Sequence, residues 1–306
     1  MAERVLITGG TGMIGGHLKE LLHKEGYITE ILSRKTKQED LPNSWHWDID
    51  KGELDIESIR QADHIIHLCG AGLARSKWTA GRKKEILDSR VKSTNLLLKA
   101  LSENRHNVKT IISASAIGYY GWNTGSIMMD EERKKPGDDF LAVVVRDWEA
   151  SSLKFSGLGI RTVILRNGQV LSLDGGMVKK LILPVKFWMG APFGNGEQYI
   201  SWIHIEDLCR IILKAIKDES FKGVYNAVAP GPVTNKEFIK IFSRCLNKSA
   251  FLPGIPPFLL KLFLGEMASM ILGGNKVSSE KIESAGYSFK FRNINDALKD
   301  LLSGNV

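Results

Sequence analysis

Cysteines are scarce in this sequence and long apolar runs are missing, and both features argue against whole classes of protein. The 306 residues include three cysteines, which lie far apart and form no Cys-x-x-Cys pair. We therefore expect neither a disulfide framework nor a zinc ribbon, and a reducing compartment fits best. No stretch reaches the roughly 18 consecutive apolar residues that cross a bilayer. Residues 251–272 come closest, but prolines, Lys261 and Glu266 interrupt them.

The first residues lack the apolar region of a signal peptide and the Arg/Ser-rich character of a transit peptide. We therefore expect a cytoplasmic protein. The chain carries 42 Lys and Arg against 34 Asp and Glu, a net charge of +8. Its cations are spread out, and the densest run, Arg82-Lys83-Lys84, precedes an apolar pattern typical of a helix. Because no RNA-binding signature or zinc finger accompanies this charge, we expect an anionic small molecule as partner and no nucleic acid.

Apolar periodicity divides the chain into alternating strands and helices. Short runs rich in β-branched residues predict strands at 4–8, 28–33, 45–48, 64–68, 108–113 and 160–165. Helical spacing predicts helices at 17–25, 79–104 and 138–155. This alternation predicts an α/β fold built on a doubly wound, mostly parallel sheet.

The alternation stops after residue 166. Residues 171–201 are rich in glycine and proline, and helices are predicted at 204–217, 234–246, 257–272 and 293–302, with one last strand at 224–226. We expect a sheet domain over residues 1–230, with 171–203 contributing to a substrate lobe. A smaller, mainly helical domain would follow over residues 231–306.

A glycine turn between the first strand and the first helix is the strongest functional signal. In the pattern Gly9-x-x-Gly12-x-x-Gly15, the first glycine permits a tight turn and the second lets the main chain approach a pyrophosphate. The third allows the helix to pack closely on the strand, and the anion would lie at the positive end of that helix. The alternative is a purely structural turn. The predicted phosphate-binding residues are Gly9, Thr11, Gly12, Met13, Ile14 and Gly15.

The end of the second strand predicts which dinucleotide binds. NAD sites usually place Asp or Glu there to accept from the ribose 2′-OH, whereas this sequence has Ser33-Arg34-Lys35. The planar fork of Arg34 suits a 2′-phosphate and Ser33 can donate to it, which favours NADP(H) over NAD(H). The alternative is a basic surface cluster at the start of a loop.

Three further strand ends complete the predicted cofactor site, because ligands of such sheets bind at the carboxyl ends of the strands. Asp48 is a candidate acceptor for the adenine amino group. Asn167 could contact the nicotinamide carboxamide, although an ordinary turn explains it equally well. The residues expected to line the adenosine side are Leu68, Cys69 and Gly70.

Motifs along most of the chain carry a resemblance to a known family. They include Thr8 to Gly15, Asp88-Ser89-Arg90-Val91, Ser113 to Gly121, Asp147-Trp148-Glu149, Ser201-Trp202-Ile203-His204 and Ala285-Gly286-Tyr287. The chain resembles the extended branch of the short-chain dehydrogenase/reductase superfamily, and within it an atypical NAD-dependent epimerase/dehydratase-like family. The resemblance implies a Rossmann-type fold, an NADP-type cofactor, a C-terminal domain of undefined role and a possible homodimer.

The proton-transfer residues of that superfamily are not all present. Its Tyr-x-x-x-Lys pair, in which the lysine lowers the tyrosine pKa so that the phenol can exchange a proton, is replaced by Leu141 and Val145. Ser115 occupies the serine position of the superfamily. Tyr119 is the candidate proton donor, with Tyr120 beside it, but an aromatic pair that packs the turn is an equal alternative.

These residues leave several functions open. One is an NADP(H)-dependent oxidoreductase or epimerase that acts on an unknown small carbonyl or sugar-like compound. A second is a non-catalytic NADP(H) sensor that acts through a partner. A third is a membrane-surface role for the helix at 258–272, although the charges within that helix suit a core or dimer contact better. His204 is predicted to cap a helix or bond between domains, and no metal site is predicted.

Overall fold

The structure, a computed structural model, describes residues 2–34, 43–133 and 135–303. Its strands are β1 (Arg4–Thr8), β2 (Ile28–Ser33), β3 (Ser44–Asp48), β4 (Glu53–Leu54), β5 (His64–His67), β6 (Thr110–Ala116), β7 (Met128–Met129), β8 (Arg161–Asn167), β9 (Gln169–Leu171), β10 (Tyr199–Ile200), β11 (Trp202–His204), β12 (Gly223–Ala227), β13 (Val233–Thr234) and β14 (Lys276–Val277).

The helices of the described residues are α1 (Met13–Lys24), α2 (Ile56–Gln61), α3 (Ala80–Glu103), α4 (Phe140–Leu153), α5 (Gly176–Lys186), α6 (Ile205–Lys217), α7 (Asn235–Cys245), α8 (Pro257–Leu264), α9 (Ser269–Leu272), α10 (Glu280–Ser284) and α11 (Ile294–Leu302). Short 3-10 helices span Ile117–Tyr120, Lys154–Leu158 and Gly265–Ala268.

A large sheet in the order β12-β8-β6-β5-β1-β2-β3-β4 forms the centre of the molecule. Its neighbours pair in parallel except for β3 with β4. The chain runs from β1 outward through β2 and β3, then returns to β5 on the other side of β1. A crevice opens at such a reversal of strand order, outside the carboxyl ends of β1 and β5. The predicted doubly wound, mostly parallel sheet is confirmed.

Alternate residues of each strand pack on opposite faces of this sheet, as the two-residue period of a strand requires. Val5 and Ile7 of β1 belong to a core that includes α1, α6, α7 and α11. Leu6, between them, belongs to the core formed with α2 and α3. Because both faces are covered, consecutive apolar residues occupy the inner strands, such as Val5 to Ile7 in β1 and Val163 to Leu165 in β8.

The predicted helix at 257–272 is wrong as a single element. Gly265 has a φ of +60° and ends α8. A 3-10 turn follows before α9 begins at Ser269. Glycine adopts this backbone conformation readily, whereas a helix does not continue through it. The three short segments therefore change direction and can wrap around a concave surface. No helix in the described part of the chain is both long and apolar enough to cross a bilayer.

A buried carboxylate attaches the C-terminal residues to the sheet domain. Asp207 of α6 accepts hydrogen bonds from the Tyr287 hydroxyl at 2.6 Å and from the amides of Lys290 and Phe291 at 2.8 and 2.9 Å. The side-chain amide of Asn275 donates to the carbonyl of Gly121 at 2.8 Å. These bonds hold the C-terminal part over the carboxyl ends of the strands, where the crevice opens.

Candidate functional site

The three predicted glycines of the turn differ in what a side chain would meet at each position. Gly9 has a φ of +69°, and a Cβ there would lie 3.1 Å from the main chain of Leu68. A Cβ on Gly15 would lie 2.6 Å from Gly10, so this glycine lets α1 pack against the turn. A Cβ on Gly12 would meet only the Gly9 carbonyl, at 3.2 Å. Gly12 is exposed, and the absence of a side chain there leaves the start of α1 open to a phosphate.

Helix α1 begins at this turn with its positive end uncompensated. Side chains cap the first turns of α2, α3, α4, α6, α7 and α11, whereas α1, α5, α8, α9 and α10 begin without such a cap. Gly12, the N-cap of α1, offers none, and the first turn of α1 contains no acidic residue. The first amides of a helix have no partner within it. The exposed Thr11 precedes this helix start, and the free amides of such a start, here those of Met13 and Ile14, can bind an anion.

A buried polar chain fixes the strand end below this turn. The Thr8 hydroxyl accepts from the Cys69 amide at 3.2 Å and donates to Nδ1 of His67 at 2.7 Å. The Thr94 hydroxyl donates to the Arg90 carbonyl and accepts from Nε2 of His67 at 3.0 Å. Burial lowers the pKa of His67 to about 3, which keeps the ring neutral. These hydrogen bonds connect β1, β5 and α3 under the crevice.

Ser33 ends β2 and Arg34 follows it at the same edge of the sheet. Ser33 is half-buried and Arg34 is exposed. Burial raises the pKa of the Cys69 thiol, and the charges of Arg34 and Arg90 oppose that rise. Arg34 is therefore close enough to the crevice to act on its charge balance. Lys35, the third residue of the predicted basic group, lies outside the described residues.

Arg90 is a feature of the adenosine side that sequence reasoning did not assign to the site. Its guanidinium lies against Gly70, where a Cβ would be 3.0 Å from Cζ. It donates to the carbonyls of Ala71 and Ile86 at 3.2 and 2.9 Å. Burial lowers the pKa of Arg90 to about 10. The predicted Asp48 is partly committed to its own turn, since its Oδ1 accepts from two following amides, which lowers its pKa.

Asn167 ends β8 at the far end of the crevice. Its Oδ1 is buried and has no hydrogen-bond partner within the described residues. Unpartnered buried acceptors are rare in folded proteins and often mark the place of an absent ligand. The carboxamide of a nicotinamide carries the N–H donors that this oxygen lacks. The small Gly12, the uncapped α1 and this acceptor all fit a dinucleotide.

The predicted Ser115 lies in a polar row across three neighbouring strands. Register places Ser115 of β6 beside Arg166 of β8, and Arg166 beside Asn226 of β12. The Ser115 hydroxyl donates to Oε1 of Glu149 at 2.5 Å. Arg166 donates to both oxygens of the same carboxylate, each at 2.8 Å. Glu149 and Arg166 are 5% and 4% exposed, so this bidentate ion pair is buried.

The two predicted tyrosines both contact Arg166. The Arg166 guanidinium carbon lies 3.5 Å from the centre of the Tyr119 ring. The Tyr120 hydroxyl accepts from Arg166 at 3.1 Å and donates to Asn226 at 2.8 Å, while burial raises its pKa to about 12. Tyr119 packs in an apolar cluster that includes Val145. This environment favours a packing role for the tyrosine pair, and the proton-donor role of Tyr119 stays a prediction.

The replaced pair of the superfamily faces this turn. A Cβ on Gly118 would lie 3.8 Å from Cβ of Leu141 and 3.9 Å from Cγ2 of Val145. Both positions of the missing tyrosine and lysine thus present hydrocarbon to the 3-10 turn. The helix that carries them, α4, is capped by Asp139, whose Oδ1 accepts from the amides of Leu141 and Ala142.

A second concave region, which we call the cleft, begins next to this helix start and has a volume of ≈ 1190 Å³. It is lined by Trp78, Lys83, Trp122, Asp139, Phe140, Phe193, Gly194, Asn195, Gln198, Pro257, Lys261, Gly265, Glu266, Ala268, Ser269 and Leu272. Phe193 is one of the aromatic residues that line the cleft. Trp202 is fully buried, and the exposed Trp188 is not among the described lining residues.

His204 has the structural role that was predicted for it. Its Nδ1 accepts from the amide of Glu206 at 3.2 Å and so caps α6. Its ring packs on Phe291 with the ring centres 4.0 Å apart. Burial lowers the pKa of His204. The residue joins α6 to the C-terminal part of the chain.

Comparison with known proteins relates this geometry to a family. The profile of the NAD dependent epimerase/dehydratase family matches residues 5–227, and that of a domain of unknown function matches residues 255–301. An epimerase family protein of Mycobacterium leprae is 37% identical over 295 residues, which cover 96% of this chain and 94% of that protein.

Solved structures give the same relationship. The crystal structure of human epimerase family protein SDR39U1 with NADPH superposes with a TM-score of 0.89 at 33% identity, covering 99% of this chain and 100% of that one. A nucleoside-diphosphate sugar epimerase from Corynebacterium glutamicum superposes with a TM-score of 0.79 at 31% identity. That match covers 98% of this chain and 58% of the other.

Proposed function

Because the chain belongs to the NAD dependent epimerase/dehydratase family, we propose that it is an NADP(H)-dependent oxidoreductase or epimerase acting on a small carbonyl or sugar-like compound. The observation that carries this proposal is the uncapped start of α1 behind Gly12, with Arg34 at the neighbouring strand end. The human relative that superposes on this chain was crystallised with NADPH, which supports the choice of cofactor.

Each part of the proposed site has one binding task. The amides of Met13 and Ile14 hold the pyrophosphate, and Ser33 and Arg34 hold the 2′-phosphate. Leu68, Cys69 and Gly70 line the adenosine side with Asp48 near the adenine, and the unpartnered Oδ1 of Asn167 accepts from the carboxamide. The bound cofactor supplies a hydride to a carbonyl carbon, and a proton from the protein or from water completes the alcohol.

The source of that proton separates two versions of the proposal. In the catalytic version, Ser115 polarises the carbonyl oxygen and Tyr119 supplies the proton. In the alternative version, the protein binds NADP(H) without turnover and acts as a sensor. Two observations support the alternative: Leu141 and Val145 replace the usual acid/base pair, and the Ser115 hydroxyl is held by Glu149. A homodimer and a cytoplasmic location stay predictions from the sequence.

Nucleotide titration tests the cofactor proposal. We expect the purified protein to bind NADPH more tightly than NADH by calorimetry. Arg34→Ala removes a charge-assisted contact worth about 1.5–3 kcal/mol, so NADPH affinity should fall roughly 10- to 100-fold while NADH affinity changes little. Arg60→Ala, which removes an exposed arginine of α2 ion-paired with Glu57, is the control and should change neither. Equal loss for both nucleotides in Arg34→Ala would contradict the 2′-phosphate assignment.

A further inference from the structure

The cleft opens beside the position where this superfamily performs proton transfer. Asp139 and Phe140 line it, and the next residue, Leu141, fills the position of the superfamily tyrosine. The opposite wall comes from α8, α9 and the 3-10 turn between them. A compound in the cleft therefore lies between the start of α4 and the C-terminal part of the chain. This is where the substrate of the proposed function would bind.

Four aromatic side chains line this cleft. Trp78 and Phe140 pack edge to face with their centres 5.2 Å apart, and Trp122 and Phe193 also line it. The Trp78 indole N–H donates to the Leu73 carbonyl at 3.0 Å, so that donor is already used. The Gln198 side-chain amide donates to two main-chain carbonyls at 3.0 and 2.8 Å. What these residues offer a ligand is mainly hydrocarbon surface.

The charges of the cleft cancel one another. Lys83 forms an ion pair with Glu266 across the cleft and lies 5.2 Å from the centre of the Phe140 ring. Lys261 and Asp139 are the other charged residues among the described lining, and no arginine is described there. Oδ2 of Asp139 is buried without a hydrogen-bond partner, so this wall offers an acceptor for a donor group rather than a site for an anion.

A nucleoside diphosphate needs cations or free backbone amides for its phosphates. In this cleft the two lysines are matched by two carboxylates, and Lys83 is already paired with Glu266, so the phosphates would meet no net positive charge. We infer that the cleft selects an uncharged, largely apolar aromatic or alicyclic carbonyl compound, or its alcohol, and excludes nucleotide sugars. This inference rests on the proposed function, because it names the substrate class of the same site.

Calorimetric titration of the full chain saturated with NADP⁺ tests this selectivity. The oxidised cofactor cannot reduce a ketone, so the heat reports binding alone. The probes are 2-acetylnaphthalene, its anionic counterpart 2-naphthoate, and UDP-glucose. We expect the ketone to bind and UDP-glucose to bind at least about 100-fold more weakly. NADP⁺ is titrated first by itself, so its failure to bind would count against the proposed function rather than against the substrate class.

Three variants connect the result to the cleft. Phe193→Ala should weaken ketone binding about 10-fold, whereas Phe187→Ala, a 66% exposed phenylalanine outside the described lining, should leave it unchanged. Glu266→Gln removes the partner of Lys83 and should strengthen 2-naphthoate binding about 10-fold without affecting the ketone. If Phe193→Ala does not fold, Trp122→Ala replaces it. UDP-glucose binding more tightly than the ketone, equal effects of the two phenylalanine variants, or no binding of any probe would overturn the inference.

Discussion

Replacing Ser115 by alanine separates a structural role from a catalytic one. The Ser115 hydroxyl donates to the buried carboxylate of Glu149, which also pairs with Arg166. Ser115→Ala removes a hydrogen bond to a charged group, which is worth about 1.5–3 kcal/mol. The unfolding entropy is about 2.1 cal/mol/K per residue. For 306 residues the total unfolding entropy is therefore about 0.6 kcal/mol/K. The structural role therefore predicts a fall in Tm of about 2–5 °C.

Ser113→Ala is the matched control on the same strand. Ser113 is also buried, but its hydroxyl bonds only neutral groups, the Ala114 carbonyl at 3.2 Å and the Ser152 hydroxyl at 2.9 Å. Loss of neutral hydrogen bonds costs about 1 kcal/mol, so its Tm should fall by less than that of Ser115→Ala. Both variants are measured by thermal unfolding without nucleotide and by NADPH oxidation with a panel of aldehydes and ketones.

The two roles give opposite patterns in these assays. We expect Ser115→Ala to lose stability more than Ser113→Ala and to keep any turnover of the wild type within about 10-fold, because its hydroxyl is used inside the fold. An unchanged Tm together with loss of turnover of about 100-fold or more would refute this reasoning and assign Ser115 to the reacting carbonyl.

Three other predictions concern the glycine turn and two buried side chains. Gly12→Ala should weaken NADPH binding at least about 10-fold with little change in the Tm of the free protein. Gly10→Ala should lower that Tm by a few degrees, because a Cβ there would lie 2.4 Å from a side-chain carbon. Burial lowers the pKa of His67 to about 3 in the folded protein, against about 6.5 in the unfolded chain. As the pH decreases below about 6.5, the unfolded state binds more protons, so the free energy of unfolding falls by about 1.4 kcal/mol for each pH unit. Urea unfolding at pH 7 and 5 should show a shallower pH dependence for His67→Gln than for wild type. Asp207→Ala should cost about 3–5 kcal/mol and expose the C-terminal residues to limited proteolysis, since it removes the acceptor of three hydrogen bonds; unchanged protease resistance would contradict the attachment described above.

Much of the fold and the phosphate end of the site could be predicted because their determinants are local. A buried strand, a glycine turn and an apolar helix face are each encoded within about 20 residues. The positions of Gly9, Gly12 and Gly15 follow from that local pattern, as does the basic group beginning at Ser33. The substitution of Leu141 and Val145 for the usual pair is likewise visible in the chain alone.

The sequence by itself determined the sheet, the position of the nucleotide turn and the missing acid/base pair. Only the tertiary structure decided what Ser115 bonds to, because its neighbours Glu149 and Arg166 come together through strand register and helix packing. The same holds for the cleft, whose wall joins residues from Trp78 to Leu272. Side chains so distant in sequence carry no joint local signal, and their arrangement follows from packing that no short pattern encodes.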